Sequence, residues 1–245
     1  MRGEEKANFL SVLDKKVLAS IKAAAWDEVL GQVDELRQAL AESEPSRAER
    51  NWNPAAAPQA LSVLQPEKKL GWAVAEGYGD GGLWADLPTA SGLLGDKHAR
   101  SLDLVRLDGE GLTFFACKVN PSGEDILKAL RDLIVHTTLY RAFLEDPRKF
   151  GYNTGKSPLL LEEAGLRWEL VAPKDMINPR KSEMRWGERD TQAMQRLMRS
   201  LGVGSFSLGR LQAEAEALQA NIRKDHFSGG RARQWFEHRV TVLIA

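Results

Sequence analysis

The chain has 245 residues, of which 43% are hydrophobic and 28% charged, and its 34 Lys and Arg balance 34 Asp and Glu. This supports a sizeable buried core in one large domain, or in a core domain with helical additions. Zero net charge excludes a uniformly basic nucleic-acid binder, so any such contact needs a local basic patch, and the single cysteine, Cys117, excludes an internal disulfide or a multi-cysteine zinc site.

The N-terminal MRGEEKANFL lacks the apolar core of a secretory signal. No apolar run approaches the ~20 residues that span a bilayer. A soluble, cytoplasmic protein with no membrane association is therefore expected. Residues 6–42 read as helix. Phe9, Leu10, Val12, Leu13, Val17, Leu18 and Ile21 recur near the helical period, followed by Trp26, Val29, Leu30, Val33, Leu36 and Leu40. Such amphipathic helices pack on a core or serve as a partner or homo-oligomer surface. Residues 42–59, with three prolines and no periodicity, read as a linker. A short helix or strand is expected near residues 60–70. Residues 77–82 (GYGDGG) read as a loop, because they lack the G-x-G-x-x-G order of a dinucleotide cradle.

LDLVRL (102–107) predicts a strand, DGEG (108–111) a hairpin turn and LTFFACKV (112–119) a second strand. NPSG then starts a long helix from Gly123, with Asn120 or Ser122 as cap. A basic loop follows, and LRWELVAPKDMI (166–177) predicts a third strand. Residues 183–224 read as helical, and HRVTVLI (238–244) as a closing strand. GYNTGKS (151–157) imitates a phosphate-binding loop, but only three residues separate its glycines and it follows a helix.

The order strand, hairpin, strand, helix, strand over Leu102–Ile177 resembles the core of the PD-(D/E)XK, or restriction-endonuclease-like, nucleases. The resemblance implies a mixed α/β fold, with a core sheet flanked by helices. Residues 1–60 would be a helical N-terminal extension and linker. Residues 61–245 would be the nuclease-like domain, with a helical insertion at about 180–232. It also implies hydrolysis of DNA phosphodiesters with Mg²⁺, which activates water and stabilises charge on phosphorus oxygens. Asp103 matches the family's first acid and Lys118 its lysine. The second acid falls at position 116, which is Ala116. Alternation along a strand puts positions 116 and 118 on one face. Some restriction enzymes take the missing acid from the following helix, about fourteen residues beyond the lysine, which here is Asp132. Asp103 and Asp132 are thus the candidate metal ligands, with Lys118 as the charge-stabilising residue.

Asp132, His136 and Tyr140 follow i, i+4, i+8 spacing and share one line of the helix. His136, Tyr140, Lys149, Tyr152 and Lys156 are the candidate nucleic-acid contacts, because basic and aromatic residues suit a phosphate backbone and exposed bases. Each candidate has an ordinary counterpart. Asp103 and Asp132 could be solvated acids, Lys118 a strand-end polar residue and His136 a satisfied core histidine. Cys117 alternates away from Lys118 and reads as a buried small hydrophobe. The alternative function is a catalytically inactive nuclease-like module that binds nucleic acid or a protein partner.

Overall fold

A computed structural model describes residues 9–45, 52, 66–79, 82–89, 94, 100–109, 111–119, 123–150, 165–174, 188–223 and 228–243. The chain runs α1 (Phe9–Lys22), α2 (Trp26–Ala41), α3 (Pro66–Tyr78), β1 (Leu83–Pro88), β2 (Ser101–Asp108), β3 (Gly111–Cys117), α4 (Gly123–Glu145), β4 (Leu166–Pro173), α5 (Glu188–Ser200), β5 (Val203–Leu211), α6 (Ala215–Arg223), α7 (Gly229–Glu237) and β6 (Val240–Leu243). The six strands form one mixed sheet in sequence order. β1, β2 and β3 are an antiparallel meander, while β3, β4 and β5 are parallel and linked through α4 and α5; β6 pairs antiparallel to β5. The mixed α/β class and the elements expected between Leu102 and Pro173 are present.

Alternation along the strands feeds two cores. Phe114, Ala116, Trp168, Leu170 and Phe206 belong to one, packed with α1, α2, α4 and α5. Phe115, Cys117 and Val171 belong to the other, with α3, α6 and α7. All of β3 is buried, as befits a strand covered on both faces. Cys117 is 1% exposed and burial pushes its thiol well up, which agrees with the reading of an inert hydrophobe.

One expectation needs correction. Residues 203–211 are not helical: β5 occupies them, with Val203, Phe206 and Leu208 in the first core and serines between them. The period-two pattern is interrupted by glycines that blur it in the sequence, and the positive φ of Gly202 (66°) turns the chain out of α5. β1 was hidden as well, because its Asp86 and Pro88 are poor strand formers. The N-terminal helices pack on the core, as amphipathic stripes of this kind do. Leu10, Leu13, Val17, Val29, Val33 and Leu36 lie within the first core, so these stripes are buried against this chain's own sheet and helices. Of the expected linker, Trp52 is buried against Phe114, Tyr140 and Phe143, with ring centroids 6.4, 5.4 and 5.4 Å away. Its N–H donates to the Pro88 carbonyl at 2.8 Å.

α3 crosses the sheet against β2 at Gly71. A Cβ there would sit 2.7 Å from the Asp103 carbonyl oxygen. Gly71→Ala is expected to destabilise by about 1–2 kcal/mol, because overpacking outweighs the helix-propensity gain of about 1 kcal/mol. A thermal melt that shows a stabilised variant would contradict this close approach.

Candidate functional site

The site forms where β2 begins and β3 ends. Register runs Ala85↔Leu104 and then Leu87↔Leu102, and the intervening Asp86 has a φ of 51°. Across this irregularity the strand changes allegiance: Leu104 and Ala85 belong to the α3-side core, Leu102 and Leu87 to the α4-side core. Asp103 is the residue at the switch. The Asp86 carboxylate accepts from Lys68 Nζ at 2.7 Å and from the Ser101 hydroxyl, which ties the distorted strand to α3. Irregular backbone of this kind costs energy and concentrates at functional sites.

Asp103 Oδ2 accepts the Cys117 N–H at 2.8 Å, bridging β2 to the end of β3. Burial raises the Asp103 carboxyl to about 6. Lys118 and the Cys117 N–H favour its charged form, while Asp132 and Glu67 oppose it. Four side chains from β2, the end of β3, α4 and α3 therefore share one electrostatic neighbourhood. Lys118 is half-buried, and its N–H donates to the Val171 carbonyl at 2.8 Å, which fixes its backbone beside β4. Ala116 is 4% exposed within the α4-side core; no carboxylate stands at that position.

The helix supplies an acid, already engaged. Asp132 Oδ1 accepts from Arg131 Nε at 3.0 Å and Nη2 at 2.5 Å. Among the described residues, no three His, Cys, Asp or Glu side chains form a group that could hold a metal ion by themselves. Mg²⁺ does not require one: one or two carboxylates completed by water and substrate phosphate suffice. The oxygen donors of Asp103, Asp132 and Glu67 match its hard-ligand preference.

The lower part of the predicted helix line does not reach a surface. His136 is 5% exposed and its Nδ1 lies 3.1 Å from the Thr89 hydroxyl, and burial lowers its pKa to about 4. Tyr140 is 3% exposed and packs on Trp52 and Phe114. Both are corrected from nucleic-acid contacts to core residues: a stripe of 3.6 period turns progressively inward along a helix that is covered on several sides. Lys149 donates to the Ala41 carbonyl at 2.7 Å, closing the C-terminal end of α2. Tyr152 and Lys156 lie outside the described residues.

Two participants escaped the sequence reading. Glu67 stands in the first turn of α3, and no local motif links it to β2. Asp14 of α1 is 8% exposed and pairs with Arg100 at 2.6 Å, and its Oδ1 has no hydrogen-bond partner. Burial raises its pKa, and it also feels Arg131 and Asp132.

A carboxyl whose folded pKa lies above its unfolded value keeps its proton where the unfolded chain has lost it. The native state is then favoured below about pH 4, and that advantage is lost as pH rises to about 6. Asp103→Asn is therefore expected to be more stable than wild type at neutral pH, by roughly 2–3 kcal/mol. The gap should close at pH 4 in chemical denaturation. A variant less stable at pH 7 would contradict the burial of this charge.

No family model, no curated protein and no solved structure matches the chain. Among the described residues no helix is long and apolar enough to cross a membrane.

Proposed function

We propose that the chain is a restriction-endonuclease-like protein that uses Mg²⁺ to hydrolyse phosphodiester bonds of DNA at the Asp103–Lys118 end of its sheet. One observation carries the reading: a part-buried carboxyl that desolvation raises to about 6, on which the charges of Lys118, Asp132 and Glu67 all act. Such a group is costly to folding, and perturbed carboxyls of this kind mark sites of chemistry. The helix, three-stranded meander, helix and parallel strand from α3 to β4 support the same family.

Asp103 and Asp132 would hold the ion, with water and substrate phosphate completing its shell. The ion would activate water and neutralise charge developing on the phosphate. Lys118 supplies a fixed positive charge for the same oxygens. The Cys117 N–H holds one Asp103 oxygen in place. The Arg131 guanidinium holds Asp132 and must yield part of it when the acid turns to a cation.

The test is thermal stability against Mn²⁺ and Mg²⁺. A ligand that binds only the folded state at about a hundredfold excess over its Kd adds about 2.7 kcal/mol. Wild type should gain stability with either ion, less below pH 6 where Asp103 is protonated, and Asp103→Asn should gain little. A second reading, a catalytically inactive module that binds nucleic acid or a protein, is favoured by the buried methyl of Ala116. It predicts no stabilisation by either ion in either protein.

A further inference from the structure

The opposite end of the same strands carries a second polar arrangement, on the α3 face. Register places Arg106 beside Thr113, Thr113 beside Arg167 and Arg167 beside Ser205. Neighbouring residues in register share a face, so four successive strands present guanidinium, hydroxyl, guanidinium and hydroxyl in one row. The next row on that face holds Phe115, Glu169 and Ser207. Helices cover Phe115, and in the outer row Thr113 is buried while Arg106, Arg167 and Ser205 stay partly exposed; the result is a cavity of about 490 Å³ floored by these strands and flanked by Asp108 and Arg239.

The cavity is held from two sides. Arg106 Nε pairs with the Asp108 carboxylate at 3.3 Å, Arg167 Nη2 donates to it at 2.8 Å, and Arg167 Nε donates to the Thr113 hydroxyl at 3.2 Å. Two guanidiniums thus converge on one carboxylate. On the far side Glu169, 5% exposed, is paired with Arg239, whose guanidinium also lies 4.0 Å from the centre of the Phe236 ring. A side chain at Gly209 would collide with this pair. The lining therefore has three guanidiniums against two carboxylates, with serine and threonine hydroxyls between them.

We propose that this cavity binds a phosphate group, free or carried by a small molecule. Guanidinium forks match phosphate oxygens with paired, charge-assisted hydrogen bonds, and hydroxyls on the same floor supply further donors. The volume is that of a small-molecule site. The inference does not rest on the nuclease reading: Thr113 lies five residues before Lys118 on an extended strand, roughly 17 Å away, and its side of the sheet is the one that Ala116 does not face.

The test is titration of inorganic phosphate and of ribose 5-phosphate into the protein, followed by amide NMR signals of Thr113, Arg167 and Ser205. Wild type should bind at least one with a Kd of about 1 mM or tighter. Arg106→Gln and Arg167→Gln should each weaken binding about tenfold, the loss of one charge-assisted bond. Ser205→Asp removes no ion pair and should abolish binding by placing a carboxylate on the floor, so it decides the matter if an arginine variant fails to fold. Lys118→Ala should bind as wild type does. Tighter binding of the sugar phosphate identifies a phosphorylated small molecule, and equal binding identifies phosphate itself. The proposal is overturned by no shift at about ten times that concentration, by binding indifferent to these cavity substitutions, or by loss in Lys118→Ala alone. Preferential binding of a single-stranded oligonucleotide that is lost in the same cavity variants would also overturn it, in favour of a nucleic-acid surface.

Discussion

Trp52→Ala is expected to destabilise the protein by about 3–5 kcal/mol, the range for truncating a fully buried large aromatic. Trp52 is 0% exposed and fills the space between β3 and α4, against Phe114, Tyr140 and Phe143. It joins the N-terminal helices to the sheet and α4 through one shared core. At about 2–4 °C per kcal/mol for a chain of this size, the melting temperature should fall by roughly 10 °C. Trp52→Phe should cost less, because the indole Nε1 has no hydrogen-bond partner to lose and only volume is removed. Removal of residues 1–45 should behave like a severe core truncation, since it uncovers the faces of α4 and α5 that α1 and α2 bury. An independently stable fragment with an unchanged melt would contradict this, and would restore the N-terminal helices to the role of a separate oligomer surface.

Glu169→Ala is expected to cost about 3–5 kcal/mol, the penalty for leaving one member of a buried ion pair without its partner. The side chains of Arg239 and Glu169 are 12% and 7% exposed. Arg239 donates to Glu169 Oε2 at 2.8 Å and packs over Phe236 and Phe115, so the change leaves a largely buried guanidinium without its carboxylate. Replacing both residues together, Glu169→Leu with Arg239→Met, should recover most of the loss, because an apolar pair of similar volume avoids the desolvation of both charges. A single variant within about 1 kcal/mol of wild type, read from urea midpoints with unchanged slope, would show that Arg239 finds another partner.

The parts of the fold legible in the sequence were those in which one physical signal dominated. β2, β3 and β4 are short apolar runs bounded by Asp-Gly or Pro, and α4 has an unbroken apolar stripe. β5 was misread because Gly204 and Gly209 interrupt its alternation, and β1 went unread because its aspartate at positive φ breaks the pattern. At the candidate site, Asp103 and Lys118 were singled out through the family motif that they resemble, which is local information. Glu67 and Asp14 reach it only through tertiary packing of α3 and α1, and nothing within their own helices distinguishes them from solvated acids. The row Arg106, Thr113, Arg167 and Ser205 is invisible for the same reason: it exists only once four strands are in register. His136 and Tyr140 show the converse, since their spacing was read correctly but their exposure was decided by Thr89 and Trp52, distant in the chain.

The most direct measurement is cleavage of plasmid and single-stranded DNA across a titration of Mg²⁺ and Mn²⁺, with wild type beside Asp103→Ala and Lys118→Ala. The account predicts metal-dependent cleavage by wild type that is lost in both variants while their melts remain cooperative. Absence of cleavage by wild type at every metal concentration, or cleavage that persists unchanged in both variants, would contradict catalysis at the Asp103–Lys118 end of the sheet.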